Sequence, residues 1–151
     1  MAAGTVTLYS KNKANLRIND LVGAVVKAAL VSSSYTPDVA TTGNSLWSEV
    51  SANEVSGNGW TAGGETLASL VATAISGGYK FSSASPSKTA SGGSIPAFRY
   101  VVLYVSGTLW GMTNPLIGYF LGDTTPADIP ATTVGNTLTL TVPAGGWFDI
   151  T

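Results

Sequence analysis

Between Asn53 and Ser69 the chain reads NEVSGNGWTAGGETLAS. Loops this rich in glycine hold phosphate in nucleotide-binding proteins, because bare backbone amides can approach an anion closely. Two such patterns overlap here. Gly57, Gly59 and Ala62 satisfy G-x-G-x-x-G/A, and Gly59 to Thr66 (GWTAGGET) fits G-x-x-x-x-G-K-[ST] at every fixed position but one. The exception is Glu65, which stands where a lysine would reach the β and γ phosphates, and a carboxylate repels what that lysine attracts. The dinucleotide pattern also needs an acid about twenty residues further on to hold the ribose. No acid follows Glu65 before Asp123, so both nucleotide readings fail.

Other chemistry is limited by what the chain lacks. With no histidine there is no base for serine–histidine catalysis, and with no cysteine either there are no ligands for a Cys/His zinc site, no thiolate and no disulfide. Eight acidic residues always allow a carboxylate pair on paper, for instance Glu49 with Glu54 for glycoside hydrolysis. Solvated loop carboxylates are the weightier reading, and no EF-hand spacing is present. The expectation is therefore a protein that is not an enzyme, with no catalytic residue, no cofactor and no metal. Trp47, Trp60, Trp110 and Trp147 raise a different idea, an exposed platform for stacking sugars, against the commoner burial of tryptophan in a β core. Trp60 lies between glycines, where a loop anchor or a partner contact is expected more than a core side chain.

The elements around these residues read as strands. Leu21 to Val31, Phe98 to Val105, Leu116 to Leu121 and Thr137 to Val142 are the strongest, and the last alternates Leu138, Leu140 and Val142 with threonines. Phe98 to Val105 (FRYVVLYV) is apolar on both faces apart from Arg99, the mark of a central strand covered on both sides. Gly77-Gly78 predicts a hairpin joining Val71 to Ile75 with Tyr79 to Phe81, and PAGG predicts a second one joining Thr137 to Val142 with WFDI. Glu65 to Ser76 fits helical spacing as well as it fits a strand, and a short helix is compatible with Ser10 to Ile18, capped by Ser10. Three polar stretches, Ser32 to Ser45, Ser82 to Pro96 and Gly122 to Gly135, read as surface loops in a monomer or as arms that order on a neighbour.

Composition fits a single folded domain of 151 residues with only 10% charged side chains. So weakly charged a surface is what a subunit covered by others would carry. A net charge of −1 argues against a nucleic-acid binder, and the longest apolar stretch is too short to span a bilayer. MAAGTVTLYSKNK lacks the apolar core of a signal peptide, so synthesis in a cytoplasm is expected. Charges are sorted by segment: residues 1–27 sum to +3, 28–79 to −4, 80–110 to +3 and the rest to −3. Chance among fifteen charges is one explanation, and complementary patches on a self-assembling surface is the other.

One block goes further. ALVSSSYTPD, followed by LWSEVSANEVSGNGWTAGGETLAS, resembles a group of small tailed-phage virion proteins that share an "SSYTPD"-like segment and an "NEVSG.GYTAGG..L"-like segment. The residues that carry the resemblance are Tyr35, Thr36, Pro37, Asp38, Val50, Asn53, Glu54, Val55, Gly57, Gly59, Thr61, Ala62, Gly63, Gly64 and Leu67, with Trp60 in place of the group's usual tyrosine. Downstream the likeness continues more loosely through Tyr79 to Phe81, Ala97 to Tyr100 and PLIGYF.

The resemblance implies an all-β, jelly-roll-like β-sandwich of about eight short strands with long polar loops, and a strand for Thr66 to Ile75. It implies a capsid decoration or cement protein on the capsid exterior of the virion. There it would bind the major capsid protein as a homo-oligomer, dimer or trimer, with no direct contact to nucleic acid or membrane. The alternative is a carbohydrate-binding, host-recognition module of a tail or fibre. In this reading residues 1–20 form an N-terminal arm and 21–151 a single β-sandwich domain. The partner contacts expected from position and residue type are Lys11, Lys13, Arg17, Tyr35, Trp47 and Trp60.

Overall fold

The structure, a computed structural model, describes residues 1, 3–123, 125 and 127–151. In chain order its elements are β1 (Thr7–Leu8), α1 (Ile18–Val22), β2 (Val26–Val31), β3 (Glu54–Val55), β4 (Glu65–Thr66), β5 (Val71–Ile75), β6 (Gly78–Ser82) and β7 (Ser87–Thr89). They continue with β8 (Tyr100–Val105), β9 (Thr108–Leu109), β10 (Met112–Thr113), β11 (Leu116–Leu121), β12 (Thr137–Thr139) and β13 (Phe148–Ile150). Every pairing among these strands is antiparallel. The fold is all-β with one short helix, and eight of the described strands are three residues or longer.

The apolar runs of β2 and β8 pair along their whole length, from Val26↔Val105 to Val31↔Tyr100. Successive side chains on a strand point to opposite faces, so runs whose one charged position is the half-buried Lys27 must be covered twice. Val26, Ala28, Leu30, Val101, Leu103 and Val105 enter one core cluster, while Ala29, Val31, Val102 and Tyr104 enter a second on the other face. Each fully buried aliphatic side chain of this kind contributes about 1.5–3 kcal/mol. The sheet extends outward in the order β1–β11–β8–β2–β3, with β4 also on β2.

The two faces are closed differently. Opposite the first lie the three-stranded sheet β13–β6–β5 and the ribbon β7–β12, which supply Phe81, Phe148 and Leu138 to the same cluster as Leu103; together they make a sandwich-like arrangement. The second face is covered by chain without strands: Tyr35, Trp47 and Val50, together with Tyr9. The polar stretch from Ser32 to Ser45 is thus part of a lid on the central sheet. Tyr35 stands edge-on to Tyr100, with ring centroids 5.9 Å apart, and its hydroxyl shares a 2.8 Å hydrogen bond with that of Tyr9.

Three expectations are corrected. The helix lies at Ile18–Val22 and not at Ser10 to Ile18; Ser10 opens only a single 3-10 turn, Ser10–Asn12, and makes no cap. Ile18 and Leu21, three apart, are the pair that buries, and Asn12 is the buried residue of the 3-10 turn. Consequently the strand expected from Leu21 begins at Val26. The C-terminal hairpin does not form: β12 pairs with β7 and β13 with β6. Its two halves find better partners, since Thr137 and Thr139 join hydroxyls with Thr89 and Ser87 at 2.8 Å, and Phe148 packs on Phe81 at 5.4 Å. The β5–β6 hairpin forms as expected, with Ile75↔Gly78 closing it, and Glu65 to Ser76 holds the two strands β4 and β5, joined by residues 67–70, and no helix.

Residues 1–20 are bound to the rest of the chain. β1 pairs with β11, and the Met1 ammonium donates to the Thr139 carbonyl at 2.6 Å. Asn12, almost wholly buried, donates from Nδ2 to the carbonyls of Ser45 (2.7 Å) and Leu116 (2.8 Å). Asn12→Ala leaves both acceptors without that donor inside the protein, so a loss of about 2–3 kcal/mol is expected in urea unfolding. A loss under about 0.5 kcal/mol would show that the contact carries no stability.

Candidate functional site

β3 and β4 lie on the same edge of β2, at Leu30↔Val55 with Val31↔Glu54, and at Lys27↔Thr66 with Ala28↔Glu65. The glycine-rich segment 56–64 is therefore an excursion from one interrupted edge strand. It leaves after Val55 and returns at Glu65. At its tip Gly57 and Trp60 exchange backbone hydrogen bonds of 2.8 and 3.1 Å around Asn58-Gly59, both at positive φ (53° and 121°), the requirement of a type I′ turn. Gly64, at φ 82°, sits against β2 so closely that a Cβ there would lie 2.5 Å from the Ala28 carbonyl oxygen.

The backbone amides of this loop do face an anion, and it belongs to the protein. Glu54 Oε1 accepts from Gly63 N at 2.6 Å, and Glu65 Oε1 accepts from Thr61 N at 2.8 Å. Lys88 Nζ lies 3.3 Å from Glu65 Oε2. The Tyr104 hydroxyl donates to the Gly63 carbonyl at 2.6 Å, and the Tyr104 ring stacks on Trp47 with centroids 4.5 Å apart and planes 5° from parallel. The two acids that flank the loop thus clamp it, and β8 anchors it through Tyr104. Glu65, read from sequence as the residue that spoils a phosphate loop, fills the role the phosphate would have had.

Electrostatics of the two clamps differ in sign. Burial pushes the Glu65 carboxyl up, but the hydrogen bonds from Thr61 and the Lys88 ammonium outweigh it and hold the group below the ordinary range. At Glu54 burial wins over the Gly63 and Gly64 amides and Lys27, so its carboxyl is raised. Burial, then the nearby Glu54 charge, pushes Tyr104 up to about 12. Glu49, the other acid singled out from sequence, is opposed by burial yet lies below its usual range. Its Oε2 accepts from Ser45 N and Leu46 N, both at 2.7 Å, and Lys11 adds attraction. Glu49 and Glu54 each hold backbone amides of their own loops.

Of the residues expected to meet a partner, Lys11, Lys13 and Arg17 are exposed. Tyr35, Trp47 and Trp60 are buried within the chain, Trp60 at 1% exposure, and in this fold little of them reaches the surface. Trp60 joins the first core cluster with its indole Nε1 unpaired among the described residues. Trp147 also turns inward, stacked on Phe120 at 5.6 Å, and Trp110, half-buried, donates to Asp20 Oδ2 at 3.0 Å. Four tryptophans on separate elements, three of them internal, leave the sugar-platform idea without a surface.

Two pairs of segment charges meet inside the chain, Lys88 with Glu65 and Arg99 Nε with Asp128 Oδ1 at 2.9 Å, while Lys11 and Lys27 attract Glu49 and Glu54 without forming an ion pair among the described residues. Asn12 and the double clamp were not found by sequence reasoning. The one signal available for the clamp was an acid at each end of a glycine-rich run. Comparison of the chain with protein-family models, with curated proteins and with solved structures finds no match.

The two clamps make opposite predictions. Glu65, with its folded-state value lowered, adds stability that is complete above the unfolded value of about 4.3 and disappears as pH falls through the folded value. Glu65→Gln should lower stability at pH 7 by about 2 kcal/mol, with a deficit that shrinks toward pH 3. Glu54, raised, costs stability as pH climbs from about 4.3 through its folded value. Glu54→Gln, which keeps an acceptor for Gly63, should therefore compare better with wild type at pH 7 than at pH 3. Urea titrations at both pH values check this, and the same pH trend in both variants would refute the assignment.

Proposed function

We propose that the chain is a capsid decoration, or cement, protein of a tailed phage: a jelly-roll-like β-sandwich that binds outside the icosahedral head, bridges major capsid protein subunits and stabilises the shell. One observation carries this reading. Several of the residues that resemble the phage group hold one another in the loop and lid: Tyr35 seals the second face, Glu54 clamps Gly63, Gly57 and Gly59 form the turn, and Gly64 lies against β2. The likeness thus falls on fold-determining positions, where a shared architecture would require it, and Trp60 fills the tyrosine's place as core.

The physics of cementing is multivalency. Many modest contacts on a rigid lattice raise effective concentration and resist expansion together, without any one being strong. A domain with only 10% charged residues, four of them in the pairs Lys88–Glu65 and Arg99–Asp128, loses little solvation when neighbours cover it. The exposed cations Lys11, Lys13 and Arg17 are the contacts proposed for the major capsid protein.

The test is to add the purified protein to heads of its own phage that lack it and to image them by electron microscopy. Density at fixed lattice positions outside the shell is expected. Joint replacement of Lys13 and Arg17 by Glu, which spares the Lys11 beside Glu49, should cut occupancy about tenfold or more at physiological salt while the thermal midpoint stays put. Heads that remain bare at saturating protein would end the cement reading.

A further inference from the structure

We propose that β5 is a self-pairing edge through which two copies of this chain join, antiparallel and in register about Thr73, into a continuous six-stranded sheet β13–β6–β5–β5–β6–β13. β5 ends the three-stranded sheet. Among the described residues, Val71 to Ile75 make no hydrogen bond outside the β5–β6 ladder, so a row of backbone N–H and C=O groups faces outward. Proteins protect such an edge with charge, proline, a bulge or a cover. VATAI has no charge and no proline, and its register with β6 runs unbroken from Val71↔Ser82 to Ile75↔Gly78.

The occupant follows from the sequence of the strand. Read backwards, V-A-T-A-I becomes I-A-T-A-V. In an antiparallel pair centred on Thr73, each Val71 therefore meets an Ile75, each Ala72 an Ala74, and Thr73 meets its own copy. A two-fold axis sets these residues opposite one another whatever they are, and in VATAI each then meets a residue of its own kind or shape, a match a foreign strand would reach only by chance. Val–Ile and Thr–Thr are favourable cross-strand pairs. Val71, 45% exposed, would lose water on pairing. Within the three-stranded sheet the charge nearest the axis is Lys80, opposite Thr73 on β6, so the two copies of it stand three strand spacings apart, about 14 Å. That exceeds the screening length of about 8 Å at physiological salt.

This interface goes beyond the cement reading and does not depend on it: heads could stay bare while the dimer persists, and the reverse result would remove the dimer alone. Sedimentation velocity from about 10 to 500 µM should show wild type moving from 15.3 kDa toward twice that mass. Thr73→Lys combined with Lys80→Thr, which keeps a single lysine in that cross-strand pair, and Thr73→Glu, which faces Lys80, should each fold with an unchanged far-ultraviolet spectrum and each raise the dimer Kd at least tenfold. Mixing the two should restore dimer to within about threefold of wild type, because opposite charges then face each other across the axis. Wild type that stays monomeric at about 500 µM, either variant alone dimerising like wild type, or a mixture that fails to associate would each overturn the proposal.

Discussion

The pairing of β2 with β8 is the constraint on which the rest of the molecule depends. Two strands that bury apolar side chains on both faces, with Lys27 their one charge, cannot sit at a surface, so the chain must supply two covers. One cover is regular: β5, β6, β13, β7 and β12 bring their own apolar faces and close a sandwich-like core. The other is a lid of loop and short turns, held by aromatic packing and by specific hydrogen bonds. A lid without strands needs side chains to satisfy its backbone, and Asn12, Glu49 and the Tyr9–Tyr35–Asn44 hydroxyl–amide chain do that. Polar residues at Ser32 to Ser45 are thus compatible with burial of what lies beneath them.

The glycine loop belongs to the same logic. An edge strand pairing with β2 at both ends cannot run straight through segment 56–64, which must leave the sheet, turn at positive φ and come back. Doing so turns several amides away from any backbone acceptor. In a nucleotide-binding protein an external phosphate would satisfy such amides. Here Glu54 and Glu65, the residues that bracket the excursion, satisfy them from within. The resemblance of GNGWTAGGET to two phosphate loops is a real physical likeness: the same backbone problem, with the anion supplied by the chain.

How much of this the sequence disclosed follows the range of the interactions. The central strand at Tyr100–Val105, the all-β class and the Val71–Phe81 hairpin were legible because each is written in contiguous residues. The C-terminal hairpin was misread because a local turn signal, PAGG, competes with pairings between residues about fifty to seventy positions apart, Thr137 with Thr89 and Phe148 with Phe81. Helical placement failed similarly: Ser10 is a sound local cap, but the burial of Asn12 against Ser45 and Leu116 decides the backbone there. Trp60 looked like a loop residue by its neighbours and is core by its destination. Glycines around a tryptophan let the backbone fold close enough to press that ring inward.

Charge economy connects these features. With fifteen charged side chains in all, the chain sets cationic segments against acidic ones that fold beside them, Lys88 with Glu65 and Arg99 with Asp128 among them. Exposed pairs of this kind add about 0–1 kcal/mol each, so stability is not what their arrangement chiefly secures. What it does is leave long stretches of exterior, β5 among them, with hydroxyls, small apolar groups and free backbone in place of charge. A surface of that kind repels neither its own copies nor a neutral neighbour, and the backbone edge it exposes is directional. Association on such a surface is set by register and shape, properties that β5 carries in a five-residue strand reading nearly alike in both directions.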